Sequence, residues 1–186
     1  MNLFEYILIL TSVIYALSVA QILSGVSRMA QSKAQAPSYL PSRIWALNLF
    51  ITIFLVWWAT WEFREAEWSF AGYVYLLIAP TLLFLSSSLL LPSDAPGVEF
   101  SEESNFTGVK GLFFTSYAAG VIAISVDGSV LSDESIWNTG RYFQVALFAP
   151  TVCGLFVSGR AAQLLIAMSV LAALIAASVL RFWLPR

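Results

Sequence analysis

The sequence predicts an all-α fold, a polytopic bundle of about six transmembrane helices that forms a single domain over residues 1–186. Two observations lead to this prediction. Hydrophobic residues make up 59% of the chain and charged residues only 11%, whereas soluble domains carry about 25% charged residues. The apolar residues are also gathered in long runs, and a helix needs roughly 20 of them to cross a hydrocarbon core about 30 Å thick.

Six runs are candidates for spans, and polar loops are expected at residues 28–43 and 92–109. The first run follows Glu5 and lacks the positively charged start of a signal peptide, so we expect it to be a retained helix. Pro80 lies in the middle of the third run and predicts a kink there. The predicted spans are approximately residues 4–27, 44–62, 70–91, 111–131, 142–159 and 161–182.

The composition argues against several classes of function. The chain has no histidine, a single cysteine, Cys153, and a net charge of -2. It therefore lacks the usual nitrogen ligand for haem, zinc or copper and a basic face for nucleic acid. Lys33 and Lys110 stand at span ends, which leaves no lysine for an intramembrane Schiff base. We predict no enzymatic activity and no cofactor, although the bare helix faces leave room for a bound lipid or pigment.

Small residues recur at helical spacing in three spans and predict faces where a neighbouring backbone can approach closely. In the first span they recur every four residues. Two interpretations are open for that stripe, namely packing inside the bundle and the seam of a homo-oligomer. The residues concerned are Ser12, Ala16, Ala20 and Ser24 in the first span, Gly120 in the fourth, and Ala173 and Ala177 in the sixth.

A tryptophan-rich connector between the second and third spans marks one membrane surface. Indole rings prefer the headgroup region, where neighbouring Glu and Arg side chains stay hydrated. If the helix continues outward, Arg64 reaches both Trp61 and Trp68, and a cation over an exposed indole contributes about 0.5–1 kcal/mol. Two interpretations are open, an ordinary aromatic belt and a docking or ligand site. We call the following residues the tryptophan cap: Trp57, Trp58, Trp61, Arg64 and Trp68.

Asp127 lies at the end of the fourth apolar run, and its role depends on where that helix ends. If the helix continues to Leu131, Asp127 lies below the membrane surface and needs a partner, for which Arg141 is the natural choice. If the helix ends there, Asp127 and Gly128 simply turn the chain. Three amides in other spans complete the candidate intramembrane polar set with Asp127 and Arg141: Asn48, Gln144 and Gln163.

The loop at residues 28–43 contains Arg28, Lys33 and Arg43 and no acidic residue. By the positive-inside rule this loop is expected on the cytoplasmic side, which places the amino terminus outside.

Four short motifs lie mainly in the first half of the chain. They are Phe4-Glu5-Tyr6, Leu23-Ser24-Gly25 with Arg28, the tryptophan-rich close of the second span, and Leu-Leu-Leu-Pro ending at Pro92. Together they resemble small polytopic proteins of bacterial genomes that lack an assigned function. The resemblance implies a bacterial inner membrane and nothing about activity.

Two functions remain open at the level of sequence. The first is a structural or accessory subunit, or a self-associating protein, whose partners are the lipid bilayer and either other membrane subunits or further copies of itself. The second is a small channel or transporter for a proton, water or a neutral solute, with Asp127 in the pathway. Transport of a charged solute needs several intramembrane ionisable groups, and the shortage of such groups favours the subunit.

Overall fold

The computed structural model describes residues 3–31, 39–91, 101–131 and 140–180, except for the side chains of residues 29–31, 140 and 141. All secondary-structure elements in the described residues are helices, and no strand occurs among them. The helices are α1 Leu3–Gln31, α2 Leu40–Ala59, α3 Phe70–Leu76, α4 Ile78–Leu90, α5 Glu102–Leu131, α6 Gly140–Phe156 and α7 Arg160–Ser178, with a 3-10 helix at Thr60–Glu65 after α2.

Five helical segments of the described chain are long and apolar enough to cross a membrane. The sixth helix has an apolar segment at Tyr142–Phe156 and is shorter. With 17 residues in all, α6 spans about 26 Å at 1.5 Å per residue, a little less than the hydrocarbon core. The predicted fold class, an all-α polytopic transmembrane bundle, is confirmed. The five long segments are Leu3–Arg28, Leu40–Glu65, Phe70–Leu90, Glu102–Leu131 and Arg160–Ser178.

The second helix occupies the inside of the bundle. It packs against α1, α4, α5 and α7, whereas α6 packs between α5 and α7 at one side and α1 packs against α4 and α2 at the other. Because α2 has neighbours on several sides, its side chains decide how the surrounding helices are rotated.

Two predicted loop boundaries are wrong, because polar residues at these places form the first turns of helices. The loop predicted at residues 28–43 ends earlier, since α2 begins at Leu40 with Pro41 in its first turn, where a proline needs no hydrogen-bond partner. The loop predicted at residues 92–109 also ends earlier, since α5 begins at Glu102. Acidic side chains in a first turn complement the helix dipole, so the charged residues belong to the helix.

Glu102 links the starts of α2 and α5. Its carboxylate accepts a hydrogen bond from the backbone N–H of Tyr39 at 2.9 Å and pairs with the Arg43 guanidinium at 2.8 Å. The guanidinium of Arg160, at the start of α7, lies 5.8 Å from the centre of the Tyr39 ring. The first turns of α2, α5 and α7 therefore lie together at one end of the bundle.

The third span is broken where a proline was expected to kink it. The first part, α3, ends at Leu76, and α4 begins at Ile78, two residues before Pro80. Proline has no N–H to bond the carbonyl four residues earlier, which here is that of Leu76. The Thr81 hydroxyl donates to the Leu77 carbonyl at 2.7 Å, so a side chain supports the backbone beside the break.

The face that α1 turns toward the bundle is not the stripe of small residues. Its buried residues recur at three- and four-residue intervals. They are Phe4, Ile7, Thr11, Tyr15, Ser18, Ile22 and Gly25. Gly25 allows α1 to approach the end of α4, because a Cβ at this position would lie only 2.7 Å from Leu91 Cβ. The Gln21 amide donates to the Leu91 carbonyl at 2.6 Å and holds the same contact.

On the opposite side of α1, Ala16, Ala20 and Ser24 are exposed and Ser12 is half-buried. The interpretation that this stripe packs inside the bundle is therefore wrong for Ala16, Ala20 and Ser24. The inward positions differ from the stripe by about half a turn, and they can bury much more apolar area. The outward interpretation, a surface for another helix, stays a prediction.

Candidate functional site

A set of buried polar side chains lies along one face of α2 and continues into the first residue of the 3-10 helix after it. We call Trp45, Asn48, Thr52 and Thr60 the polar face of α2. Their spacing of three, four and eight residues puts them on the same side of a helix. All four are at most 3% exposed. Buried polar groups in a membrane need partners inside the protein, and the side chains of Asn48 and Thr52 bond α7 and α5.

Asn48 connects α2 to α7. Its side-chain amide donates to the backbone carbonyl of Ala167 at 2.9 Å, and Ala167 is fully buried. A small residue at this position lets the amide reach the helix backbone.

Thr52 connects α2 to α5 through a hydrogen bond of 2.8 Å between its hydroxyl and the Tyr117 hydroxyl. Tyr117 belongs to a group of rings on α5 that surrounds the indole of Trp45. The centre of that indole lies 5.5 Å from Phe113, 5.0 Å from Phe114 and 5.7 Å from Tyr117, each in an edge-to-face arrangement. The middle of the bundle is thus filled by packed aromatic rings.

Thr60 connects α2 to α1 and lies at a corner that also contains Asp127. The Thr60 hydroxyl donates to the Val56 carbonyl at 3.0 Å, and the Thr60 side chain lies next to the Tyr15 phenol. Asp127 interacts electrostatically with the same phenol. Asp127 is 8% exposed, and α5 continues past it to Leu131, so the interpretation that the chain merely turns at Asp127 is wrong.

Arg141, the expected partner of Asp127, has a side chain outside the described residues, so this pairing stays a prediction. Gln144 is half-buried on α6. Asn48 and Gln163 lie in the half of the bundle where α2 and α7 begin, whereas Asp127 lies near the end of α5, where it interacts electrostatically with Tyr15. Asp127 therefore does not share one site with Asn48 and Gln163.

Gln163 holds the corner between α6 and α7. Its side-chain nitrogen donates to the carbonyls of Gly154 at 2.9 Å and Val157 at 2.7 Å, which are carbonyls left without helical partners at the end of α6. The Lys110 ammonium donates to the Val157 carbonyl as well, at 3.0 Å. Gly159 follows with a φ of 127°, a conformation that favours glycine. Gln163 is thus foremost a capping residue.

The tryptophan cap covers the ends of α1 and α2 on the side of Asp127. The Trp57 indole N–H donates to the Ser12 hydroxyl at 3.1 Å, and the Trp61 ring lies 6.0 Å from the Phe4 ring. The Arg64 guanidinium lies 5.7 Å above Trp61, while Trp68 packs 6.1 Å from Phe4. Trp58 is 62% exposed, as is typical of a ring in the interfacial belt.

The remaining packing residues have unequal roles. Gly120 is buried, and a Cβ there would lie 3.6 Å from Leu82 Cβ, so α4 and α5 are in ordinary contact at this point. Ala173 and Ala177 are half-buried on α7. Another close contact joins α4 and α5, where the hydroxyls of Ser86 and Ser116 are hydrogen-bonded at 2.8 Å.

Sequence reasoning missed Tyr15, Thr52, Thr60 and Tyr117. A signal was present, because Asn48, Thr52 and Thr60 share one face of a helix that is otherwise apolar. It was overlooked because threonine is common on every face of membrane helices, where its hydroxyl can bond its own backbone.

The polar face is not a continuous pathway in the part of the chain that the structure describes. Thr52 and Thr60 are eight residues apart, about 12 Å along the helix, and the half-buried Val56 lies between them. Among the described residues no group of three His, Cys, Asp or Glu side chains is arranged to hold a metal ion. The chemistry that this arrangement supports is hydrogen bonding between helices.

Comparisons with protein-family models, with curated proteins and with solved structures found no match to this chain.

The hydroxyl pair of Thr52 and Tyr117 should make a small, separable contribution to stability. We expect the variants Thr52→Val and Tyr117→Phe to show a coupling energy near 0.6 kcal/mol in a double-mutant cycle, the average for hydrogen bonds between membrane helices. The free energy of unfolding in lipid bicelles is the quantity to measure. The pair Thr81→Val and Tyr117→Phe serves as the control, since Thr81 bonds only within its own helix, and a coupling no larger than in this control would contradict the interaction.

Proposed function

We propose that this chain is a structural or accessory subunit of a membrane assembly, and that it packs against a helix of another subunit, or of a second copy, through the outward face of α1. The observation that carries the proposal is the rotation of that helix. The residues that α1 needs for its own bundle lie on one side, and the small residues Ala16, Ala20 and Ser24 lie on the other.

Small residues are of little use against lipid tails, which gain more contact from larger side chains. They do allow a helix backbone to come close, and interfaces between membrane helices are enriched in them. On α1 they lie beside larger exposed side chains, Val13 at 50% and Leu17 at 52% exposure. The resulting surface is a shallow groove into which the ridge of another helix fits.

The closed interior supports the same proposal. The rings around Trp45 fill the centre of the bundle, and the buried amides and hydroxyls bond to neighbouring helices. Because packed side chains fill the interior of this bundle, the outer surface is where it would contact another protein. The tryptophan cap extends this outer surface at the end of the bundle, as either a belt or a docking site.

For the location we propose a bacterial inner membrane with the amino terminus outside. The end of α1 and the starts of α2, α5 and α7 lie on one side of the bundle, and they contribute Arg28, Arg43, Lys110 and Arg160. Basic residues on one side favour the cytoplasmic face. The opposite side carries the tryptophan cap, where Arg64 pairs with Glu65 at 3.1 Å.

The variant Ala20→Leu tests the α1 face. Leucine at the centre of the face would hold a partner helix away, so we expect the fraction of the chain found in the assembly to fall at least tenfold, which corresponds to about 1.4 kcal/mol. The mass of the complex after gentle extraction from the native membrane is the measurement. Ala146→Leu is the matched control, because Ala146 is also exposed but lies on α6.

An unaltered complex in Ala20→Leu would contradict the proposed face. A wild-type chain that is extracted as a monomer, with no other protein bound, would contradict the subunit function itself. Wild-type complexes of fixed stoichiometry would also identify whether the partner is a second copy or a different protein.

A second function is favoured by one observation, the buried carboxylate of Asp127. Carboxylates within spans are costly and commonly serve proton or solute pathways. Here Asp127 lies beside Tyr15 and at the end of the polar face of α2. We propose as the alternative a small channel or transporter for a proton, water or a neutral solute. The packed rings around Trp45 would have to separate to open such a pathway.

Flux measured through liposomes tests this alternative. If Asp127 lies in the pathway, Asp127→Asn should reduce proton flux at least tenfold, because the amide cannot carry the proton. Glu103→Gln removes an exposed carboxylate at the other end of α5 and should leave the flux unchanged. Wild-type flux equal to that of liposomes without protein would refute the pathway for protons, and a stopped-flow measurement of osmotic swelling would do so for water.

A further inference from the structure

Three polar atoms near the starts of α2 and α7 are buried and have no hydrogen-bond partner among the described residues. They are the indole nitrogen of Trp45 and the side-chain oxygens of Asn48 and Gln163. Trp45 and Asn48 are fully buried and Gln163 is 2% exposed. A buried polar group left without a partner destabilises a fold, so three of them in one region require a physical explanation.

The register of α2 against α7 brings Trp45 and Gln163 to about the same level, with Asn48 about one turn further along. Both helices run in the same direction, since their starts meet where Arg160 covers Tyr39. Asn48 bonds the carbonyl of Ala167. Gln163 lies one turn before Ala167 and Trp45 lies nearly one turn before Asn48, so Trp45 and Gln163 lie at about the same height, one turn below that bond.

A second set of contacts leads to the same conclusion. The Trp45 ring centre lies 5.0 Å from that of Phe114. The Phe114 ring packs on the backbone of Gly154 so closely that a Cβ at this glycine would lie 2.5 Å from it. The carbonyl of Gly154 then accepts the hydrogen bond from Gln163 at 2.9 Å. Phe114 and Gly154 therefore connect Trp45 to Gln163 through a chain of direct contacts.

The three atoms define the chemistry of what fits between them. The indole N–H is a donor, and the two amide oxygens are acceptors. A matching molecule accepts one hydrogen bond and donates two. It is also small and uncharged, because the surrounding rings of Phe113 and Phe114 are fully buried and a charge would be poorly solvated there.

We propose that Trp45, Asn48 and Gln163 bind a single internal water molecule. The water oxygen accepts from the indole nitrogen of Trp45, and its two hydrogens are donated to the side-chain oxygens of Asn48 and Gln163. Buried waters typically make about three hydrogen bonds to groups that are otherwise unsatisfied, and this arrangement supplies three.

The water also has a structural consequence. The nitrogen of Gln163 is used by two carbonyls at the end of α6, so its oxygen is the atom left to face α2. A water bound to that oxygen joins the corner between α6 and α7 to the inside of the bundle. It adds a connection to the direct bond between Asn48 and Ala167.

Magnetisation transfer from water in solution NMR tests the proposal on the whole folded protein in deuterated detergent. The variant Trp45→Phe assigns the indole resonance, while the other six indole resonances report whether the fold is kept. In the wild type we expect the Trp45 indole proton to show a dipolar cross-peak at the water frequency, with the sign of a slowly tumbling, long-lived contact.

Two further variants separate the site from its surroundings. Asn48→Leu removes one acceptor and should reduce the cross-peak at least twofold. Ser86→Ala removes a buried hydroxyl of the Ser86–Ser116 pair and should leave it unchanged. Folded wild-type protein without a water cross-peak at Trp45, or with cross-peaks to detergent or lipid protons instead, would overturn the proposal even if Asn48→Leu fails to fold.

Discussion

The fold depends on one constraint, that the polar face of α2 must find its hydrogen-bond partners inside the bundle and not in the lipid. Lipid offers no hydrogen bonds, and apolar contacts between helices in lipid do not drive association as they do in water. Asn48 bonds α7, Thr52 bonds α5, and Thr60 packs beside Tyr15 of α1. Three helices are thereby fixed in rotation around a central one. The ring packing around Trp45 then fills the space that these bonds define.

Sequence alone predicted the elements that the bilayer dictates, and it was less successful with those that neighbouring helices dictate. The apolar runs had to be helices of about membrane length, so the fold class followed from composition. The starts of α2 and α5 were placed too late, because Arg43 and Glu102 resemble loop residues until their ion pair is known. Sequence alone could not decide which face of α1 turns toward the bundle. A stripe of small residues and a stripe of large residues are both compatible with helix packing.

The candidate site shows the same division. Asp127 stood out in the sequence as a carboxylate beside an apolar run, and the structure buries it. Its neighbours Tyr15 and Thr60 come from helices distant in the chain, and no spacing rule connects them to Asp127. Gln163 was selected as an intramembrane polar group and is foremost a cap for the end of α6. Residue type therefore identified polar groups correctly but not what they bind, which depends on tertiary contacts.

The central claim, that α2 holds the bundle by its polar face, is tested most directly by replacing each residue of 44–60 that is not already leucine with leucine, one at a time, and measuring the free energy of unfolding in bicelles. Our account predicts losses that recur with the helical period and are greatest at Trp45, Asn48, Thr52 and Thr60, with little change at the exposed Phe54. Losses of equal size around the whole helix, or greatest on the side of Phe54, would contradict it.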